Sequence, residues 1–390
     1  MDQTADVIVV GAGVQGASLA FHLARRGARV IVLERQAVAA GATGRSSGFV
    51  RMHYDLASES ALAFASLPYF QGWAEVVGAG DCGFVRTGFI QLVPAGLADH
   101  LRANVEMHRR LGIDSVLIGA EDVARLLPGA VVDDVSVAAY EAASGYADPS
   151  GTAAGFLAAA RERGARLVTG CRVEAVVVDG ERVAGVETGR GRFAAPVVVD
   201  AAGAWARELA RTIGVDVPVD AWRHPTAYFG LPAGRGPEFP IVIDEINSVY
   251  FRPEGRETML VGLESGNEIG GSADRPLAGL DQVNLDAMIA RICARVPWMV
   301  DGTLRAAHGG QDGITPDQRA ILGSAGPEGF FLACGFSGTG FKTAPAVGLC
   351  LSELILDGHA TTVDIGAYSL DRFAAGRHLV GEHPYEMLWR

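Results

Sequence analysis

The segment DVIVVGAGVQGASLAFHLARRGARVIVLER, residues 6–35, predicts a strand, a glycine-rich loop, a helix and a second strand. Val7–Val10 is a continuous apolar run, typical of a strand buried on both faces of a parallel sheet. The second strand is expected over residues 29–33. The apolar residues on one face of the intervening helix are Ala17, Ala20, Leu23 and Ala24. This order of elements predicts a βαβ unit and an α/β fold.

Three glycines, Gly11, Gly13 and Gly16, form the pattern GxGxxG at the first turn. The first glycine permits the tight turn, the second lets a pyrophosphate approach the backbone, and the third lets helix and strand pack closely. Glu34 ends the second strand, eighteen residues after Gly16, near the spacing expected for an acid that binds ribose hydroxyls. Together these features predict a dinucleotide site, and the acid favours FAD or NAD over NADP.

The composition narrows the class of protein. The chain has 390 residues, of which 49% are hydrophobic and 20% charged, as in a globular enzyme long enough for two lobes. Its net charge of −12 argues against nucleic-acid binding and leaves no polybasic membrane surface. No apolar run reaches the roughly 18 residues of a membrane span, and no signal peptide is evident. The five cysteines form no CxxC pair, so reduced thiols and a cytoplasmic location are expected.

Five sequence blocks, in this order, resemble the D-amino-acid oxidase superfamily of FAD oxidoreductases, and most closely its sarcosine oxidase and glycine oxidase branch. The blocks are residues 9–35, GATGRSSGFVR at 41–51, DVSVAAYEAASGYADPSG at 134–151, VVVDAAGAWA at 197–206, and GITPDQRAILG with FFLACGFSGTGFKTAPAVG at 313–348. The blocks extend over nearly the whole chain. They are specific for the superfamily and much less specific for a substrate.

The resemblance and the local patterns together predict two interleaved lobes. A Rossmann-like FAD-binding lobe is expected from residues 1–75, 145–215 and 315–390, and an α+β substrate lobe with an antiparallel sheet from residues 76–144 and 216–314. Local patterns predict a helix at residues 152–163, a helix beginning near Trp205, a hairpin at Asp179-Gly180, an amphipathic helix with Leu97, Leu101, Val105 and Leu111 on one face, and strands in PTAYFGL, SVYFRPE and TMLVGLE.

The resemblance also implies which residues hold the cofactor. They are Gly11, Gly13, Val14, Gln15, Gly16, Glu34, Arg35, Thr43, Gly44, Ser46, Ser47, Val173, Ala202, Gly203, Trp205, Gly338, Thr339, Gly340, Phe341 and Lys342. Many members of the superfamily attach FAD through a cysteine about five residues before the sequence TPD. Gly310 stands near that place here, so non-covalent FAD is expected.

The segment around Lys342 predicts a strand, a glycine loop and a helix. A helix N-terminus and a lysine are suited to stabilise the negative charge of a reduced flavin. The resemblance implies that Lys342 and Arg51 also grip a substrate carboxylate; the alternatives are a solvated lysine at the helix start for Lys342 and a structural ion pair for Arg51. The candidate pocket walls are Tyr54, Tyr250, His308 and Trp222, and ordinary packing would explain each of them. No metal site is predicted.

The expected function is FAD-dependent oxidation of the C–N bond of an amino acid or N-substituted amino acid, such as sarcosine. The resemblance implies hydride transfer to flavin N5 and an imine that hydrolyses. Two alternatives stay open: a 2-hydroxy acid dehydrogenase, and the flavin subunit of a heteromeric oxidase or dehydrogenase. In the monomeric sarcosine oxidase branch a lysine promotes reaction with oxygen, whereas Glu264 stands in the matching segment here. Oxygen and an electron carrier therefore both remain possible acceptors, and a homo- or hetero-oligomer is possible.

Overall fold

The computed structural model describes residues 3–263, 267–275 and 279–386. Glu264 lies outside the described residues. The strands are β1 (Val7–Val10), β2 (Val30–Leu33), β3 (Phe49–Val50), β4 (Val85–Arg86), β5 (Phe89–Leu92), β6 (Val116–Ile118), β7 (Ala138–Glu141), β8 (Gly145–Tyr146), β9 (Arg166–Val168), β10 (Val173–Asp179), β11 (Arg182–Thr188), β12 (Gly191–Ala194), β13 (Val197–Asp200), β14 (Asp220–Gly230), β15 (Ile241–Asp244), β16 (Val249–Glu254), β17 (Thr258–Leu263), β18 (Glu268–Ile269), β19 (Thr303–Ile314), β20 (Ile321–Ser324) and β21 (Phe330–Cys334).

The α-helices are α1 (Val14–Arg25), α2 (Ala57–Gln71), α3 (Trp73–Val76), α4 (Ala98–Arg110), α5 (Ala120–Leu126), α6 (Pro149–Glu162), α7 (Ala206–Arg211), α8 (Gln282–Arg295), α9 (Gly340–Asp357) and α10 (Asp371–Ala374). Short 3₁₀ helices occupy Thr43–Arg45, Ala95–Leu97, Gly203–Trp205, Pro297–Asp301 and Gly366–Tyr368. Among the described residues, no helix combines the length and the apolar character needed to cross a membrane.

A six-stranded sheet in the order β20-β21-β13-β1-β2-β9 forms the centre of the dinucleotide-binding fold. Its pairs are parallel except β20 with β21, which are antiparallel. All four residues of β1 are buried, which confirms the predicted two-sided burial of this strand. The second strand begins at Val30, one residue later than predicted, a difference within the ordinary uncertainty of strand ends.

Helices α6 and α9 pack on α1, beside this sheet. Gly348 of α9 permits a close crossing, because a Cβ atom there would lie 2.3 Å from Ser18 Oγ and 2.8 Å from the Leu19 nitrogen.

Helix α6 begins at Pro149, three residues before the predicted start. Asp148 caps it by accepting a hydrogen bond from the Ser150 N–H at 2.9 Å, and proline suits the first helical position. The Asp-Pro start signal accounts for this difference.

The large sheet has the order β18-β14-β17-β16-β15-β5-β7-β6, with β19 paired to β14. The three strand-like runs of the sequence form β14, β16 and β17, and their antiparallel pairing is as predicted. One pair, β5 with β15, is parallel. These two strands come from separate chain segments, so no hairpin forces them to run in opposite directions. The amphipathic helix is α4, and its Leu101 and Val105 are buried.

Smaller elements complete the fold. The hairpin at Asp179-Gly180 joins β10 and β11 in a three-stranded sheet with β12, and Gly180 has a φ of +62°. The helix predicted near Trp205 starts as a 3₁₀ turn and continues as α7. We propose the two-lobe division that the sequence predicts. In support of it, the strands of the six-stranded sheet all fall in the predicted FAD-binding segments, and those of the large sheet fall in the other two.

Candidate active site

A cavity of about 540 Å³ opens where the carboxyl ends of β1, β2 and β13 meet the glycine loop. Most of the residues predicted to bind a dinucleotide line it. These are Gly11, Gly13, Val14, Gln15, Glu34, Arg35, Thr43, Ser46, Ser47, Val173, Ala202, Gly203, Trp205, Gly338, Gly340 and Phe341. The cavity therefore draws its walls from four distant parts of the sequence.

The glycines of the first turn are required by close backbone approaches. Gly11 has a φ of +107°, and a Cβ atom there would lie 2.5 Å from the Ala201 carbonyl oxygen. A Cβ atom at Gly16 would lie 2.0 Å from the carbonyl oxygen of Gly11. Gly16 is absent from the cavity wall and instead lets α1 pack against the loop, as its place in the pattern predicts. Gly44 is likewise outside the wall, and its Cβ would lie 2.5 Å from the Ala39 carbonyl oxygen.

The Glu34 carboxylate is oriented by two backbone hydrogen bonds. Its Oε2 accepts from the Ala12 N–H at 2.9 Å, and its Oε1 accepts from the Gln36 N–H at 2.7 Å. A carboxylate offers about four acceptor positions, so these two bonds leave room for ribose hydroxyls. Because Glu34 also lines the cavity, its geometry suits the ribose role that the sequence predicts.

Side-chain hydrogen bonds join the first turn of α1 to two other parts of the cavity wall. Thr43 Oγ1 accepts from the Val14 N–H at 3.0 Å, and Gln15 Nε2 donates to the Gly340 carbonyl oxygen at 2.7 Å. The other amide atom, Gln15 Oε1, is buried without a hydrogen-bond partner in the described part of the chain. Because this oxygen is a buried acceptor at the cavity wall, it is suited to accept a hydrogen bond from a ligand.

Arg35 and Trp205 form a stacked pair in another part of the wall. The Arg35 guanidinium carbon lies 3.9 Å from the centre of the Trp205 ring. Asp274 holds both side chains, at 2.8 Å from Arg35 Nη1 and 2.8 Å from Trp205 Nε1. Val173 lies in the same wall, together with the Cys171 thiol. A planar ligand group is well matched to such a surface.

Asp312 lines the cavity and was missed by the sequence analysis. Its carboxylate accepts from the Gly338 N–H and the Gly313 N–H, each at 2.7 Å. Burial raises the pKa of this carboxyl group, while the two N–H donors and the nearby Lys342 act to lower it. The only sequence signal was an acid inside the glycine-rich stretch HGGQDGI, which does not distinguish a buried acid from an exposed one.

Arg51 and Lys342 come from opposite ends of the chain and meet around Tyr54. The Arg51 guanidinium carbon lies 4.2 Å from the centre of the Tyr54 ring, and Lys342 Nζ lies 5.8 Å from it. Arg51 is 2% exposed and Lys342 is 6% exposed. Lys342 Nζ also contacts the carbonyl oxygen of Gly338, a residue of the cavity wall, at 3.4 Å. Lys342 thus lies directly behind that wall, and Arg51 lies against the same tyrosine ring.

Burial and the positive charge of Arg51 both lower the pKa of Lys342 well below its usual range. The carboxylates of Glu59 and Asp312 act in the opposite direction. Two buried cations repel each other, and an anion placed between them would relieve both the repulsion and the loss of hydration. Lys342 is also the sole lysine of the 390 residues, since every other residue of the Lys+Arg total is arginine. The arrangement is suited to hold a carboxylate.

The remaining predicted residues divide between the cavity wall and its surroundings. Tyr250 lines the cavity, and its ring lies edge-on to that of Phe49 at 5.5 Å. Trp222 is fully buried, with its ring 4.8 Å from that of His224, a wall residue. His308 is outside the wall on β19, where its Nε2 lies 3.3 Å from the Tyr228 hydroxyl.

Thr339 is also outside the wall. Its hydroxyl donates to the Phe336 carbonyl oxygen at 2.8 Å within the loop. Sequence reasoning missed several residues that do line the cavity. Besides Asp312, these include Arg172, Glu174, His224, Gln311 and Phe336. They lie next to predicted residues or on neighbouring strands, and their side chains carry no recognisable motif.

The wall fits FAD in its chemistry. It offers a glycine-rich backbone that approaches closely, an oriented acid, an amide oxygen that is buried without a partner among the described residues, and a cationic side chain just behind the C-terminal loop.

Comparison with known proteins agrees with this assignment. The chain is 30% identical to human sarcosine dehydrogenase over 405 residues, which cover 98% of this chain and 43% of that protein. It therefore spans less than half the length of this relative. Among solved structures, L-proline dehydrogenase from P. horikoshii shares the fold, with a TM-score of 0.90, 24% identity and coverage of 97% of this chain and 100% of that chain. Glycine oxidase from Geobacillus kaustophilus has a TM-score of 0.83 and 25% identity, covering 95% and 99%.

A family model described as FAD dependent oxidoreductase, DAO, matches residues 6–354. This match includes all the cavity-lining segments described above. The protein therefore belongs to the DAO family of FAD dependent oxidoreductases.

Proposed function

We propose that the protein oxidises the C–N bond of an amino acid or N-substituted amino acid. When bound, FAD supplies the acceptor for a hydride from the carbon next to nitrogen. The observation that carries the proposal is the meeting of Arg51 and Lys342 around Tyr54, behind the wall of the FAD cavity. The names of the similar proteins, which include a sarcosine dehydrogenase and a glycine oxidase, support a substrate with both an amine and a carboxylate.

Each residue of this group has a distinct part in binding. Arg51 supplies a planar fork that matches a carboxylate, and Lys342 supplies a compact charge. The Tyr54 hydroxyl is buried and has no hydrogen-bond partner in the described part of the chain. Burial raises the pKa of Tyr54, so it stays a neutral donor and acceptor. We propose that Arg51 and Lys342 anchor the carboxylate and that Tyr54 hydrogen-bonds to the substrate beside them.

Orientation is the protein's contribution to the reaction rate. A carboxylate fixed at two points leaves the amine and its neighbouring carbon little freedom, which lowers the entropy cost of reaching the reactive geometry. The substrate must react with its nitrogen unprotonated, because a protonated amine cannot stabilise the developing imine. We assign no side chain as the base for that proton.

A substrate panel tests the proposal. Purified enzyme is mixed without oxygen with amino acids, N-methylated amino acids, the corresponding amides and 2-hydroxy acids, and loss of the flavin absorbance near 450 nm is followed. Bleaching by amino or N-methylamino acids is the expected result. Bleaching by 2-hydroxy acids alone would contradict the proposal and would show that the protein is a 2-hydroxy acid dehydrogenase.

The bound FAD is expected to be released intact when the protein is denatured with acid. Gly310 stands near the place where many members of the superfamily carry the linking cysteine, and a Cβ atom there would lie 2.8 Å from His224 Cε1. The measurement is chromatography of the supernatant against FAD and FMN standards. Yellow colour that stays with the precipitate would contradict the non-covalent assignment.

Replacing Glu34 with Ala is expected to weaken FAD binding by on the order of 1.5–3 kcal/mol for each charge-assisted ribose hydrogen bond lost. Glu34→Gln should have a smaller effect, because its amide oxygen still accepts one bond. FAD retained after serial dilution gives the dissociation constant. Glu187→Gln, which changes an exposed acid of β11 outside the cavity wall, is the matched control. Equal retention in the wild type and Glu34→Ala would contradict the ribose role.

We also propose that the chain passes its electrons to oxygen or to an electron carrier. The alternative is that the chain is the flavin subunit of a larger enzyme. Size-exclusion chromatography of the chain expressed alone, followed by the same anaerobic assay, separates the cases. An active, soluble chain by itself removes the need for a partner subunit.

A further inference from the structure

Residues 51–54, which carry Arg51 and Tyr54, belong to no helix or strand, and lie between β3 and α2. A segment of this kind needs other partners for its backbone groups. Two buried side chains provide them. Glu141 Oε2 accepts from the Met52 N–H at 2.9 Å, and His108 Nε2 lies 2.8 Å from the Tyr54 carbonyl oxygen. These contacts hold the segment on both sides of His53.

Glu141, the last residue of β7, is fully buried. Its Oε2 also accepts from the Ser144 hydroxyl at 2.7 Å. Burial raises the pKa of this carboxyl group, while the Met52 N–H, the Ser144 hydroxyl and the charge of Arg51 lower it. The carboxylate is therefore placed where it both holds the backbone beside Arg51 and offsets part of the charge of Arg51.

The tautomer of His108 follows from its partner. His108 Nε2 lies 2.8 Å from the Tyr54 carbonyl oxygen and 3.3 Å from the Tyr54 nitrogen, and the shorter contact favours the tautomer with hydrogen on Nε2, which donates to that oxygen. Burial, together with the charge of Arg51, lowers the pKa of His108 to about 4, so the ring is neutral near pH 7. His53 Nε2 lies 2.7 Å from the Tyr385 hydroxyl, and burial also lowers the pKa of His53.

His53, His108 and Glu141 each retain one buried atom without a hydrogen-bond partner in the described residues. One ligand-type atom of each lies within 4.8 Å of the other two. The Arg51 guanidinium acts on both Glu141 and His108, so it would repel a second cation placed among the three groups.

We infer that Glu141 and His108 are positioning residues that fix Arg51 for carboxylate binding. This inference rests on the proposed function of Arg51. The two side chains hold the backbone at Met52, next to Arg51, and at Tyr54, so the guanidinium keeps one orientation without a regular element around it. A binding group that is held in one orientation binds its ligand more tightly than the same group left free to move.

A titration that needs no knowledge of the substrate tests the inference. Acetate or acetamide is added to the FAD-loaded enzyme, and the shift of the flavin absorbance gives each dissociation constant. Glu141→Ala and His108→Leu are expected to weaken acetate binding on the order of 10- to 100-fold and to leave acetamide binding unchanged. Glu141→Gln and His108→Gln keep an acceptor and a donor at the same places, so each should restore most of the acetate affinity.

Coupling to Arg51 separates positioning from general packing. In an Arg51→Met background, adding Glu141→Ala should weaken acetate binding no further, because there is no guanidinium left to position. A further loss of the single-variant size would overturn the inference. His22→Gln is the matched control: His22 is a buried histidine on α1, beside the ring of Tyr69, and its replacement should leave the acetate constant unchanged.

Other outcomes are equally informative. If Arg51→Met weakens acetate binding and Glu141→Ala does not, the positioning role is wrong while the proposed function stands. If Arg51→Met binds acetate as the wild type does, the carboxylate role of Arg51 is wrong. One equivalent of zinc in the purified wild type, absent from Glu141→Ala, would show that a metal holds the cluster and would overturn the inference. Should Glu141→Ala fail to retain FAD, Glu141→Asp withdraws the carboxylate by one methylene and carries the same expectation.

Discussion

Arg51→Met is expected to weaken binding of a carboxylate substrate by about 2–4 kcal/mol, which is roughly 30- to 1,000-fold in the dissociation constant. The physical reason is that Arg51 is 2% exposed and stacked on Tyr54, so its interaction with an anion is little screened by water. The measurement is anaerobic flavin reduction at increasing concentrations of an amino acid and of its amide. The preference for the acid over the amide should shrink in the variant.

An exposed arginine provides the control for this experiment. Arg86, on β4, donates to the Ala142 carbonyl oxygen at 2.8 Å and lies at the surface. Arg86→Met should keep the wild-type preference. If Arg51→Met also keeps it, the carboxylate binds elsewhere, and Arg252 and Arg223 become the next arginines to test. Both are buried, and both already donate to backbone carbonyls, of Ser47 and Gly270 respectively.

Lys342→Met is expected to weaken carboxylate binding and also to lower the limiting rate of flavin reduction, on the order of 100-fold. The second effect separates Lys342 from Arg51. Lys342 lies on the first turn of α9 and contacts the Gly338 carbonyl oxygen in the FAD cavity wall. A cation there stabilises the negative charge that develops on the cofactor during the reaction. This interaction is absent when the substrate merely binds, so losing it lowers the rate as well as the affinity. A variant with raised KM and an unchanged limiting rate would contradict this second role.

The pH dependence of anion binding has a defined sign. Lysine carries its charge below its pKa, and burial with the Arg51 charge lowers the pKa of Lys342. The affinity for acetate should therefore fall as the pH rises through that lowered pKa, while the carboxylate itself stays ionised throughout. In Lys342→Met this fall should be absent. A wild-type affinity that falls nowhere between the pKa of acetate and the usual range of lysine would contradict the lowered pKa.

The composition allows that pKa to be measured directly. Because Lys342 is the sole lysine of the chain, selective isotopic labelling of lysine gives one side-chain signal for NMR titration. Bound acetate should move the titration to higher pH, since an anion favours the charged form. The N-terminal amine is not labelled by this method and does not interfere.

The comparisons confirm the recognition of the family from its sequence blocks, and the fold agrees with the predicted class. The dinucleotide-binding unit was predictable because its determinants are local. Gly11 and Gly16 require backbone approaches within one turn, and Glu34 follows the next strand. Boundaries were less accurate. The start of α6 was misplaced because the Asp148 cap and Pro149, which decide it, lie before the apolar periodicity begins.

The sequence by itself determined the βαβ unit and its dinucleotide motif, because neighbouring residues set both, and five blocks along the chain carried the resemblance that pointed to FAD. Only the tertiary structure decided how Arg51, Tyr54 and Lys342 meet, and that Asp312, Glu141 and His108 lie where they hold the loops around them. Contacts between residues far apart in the chain leave no local pattern. The lowered pKa of Lys342 is likewise a property of the folded state, since burial and the Arg51 charge arise only when the two ends of the chain pack together.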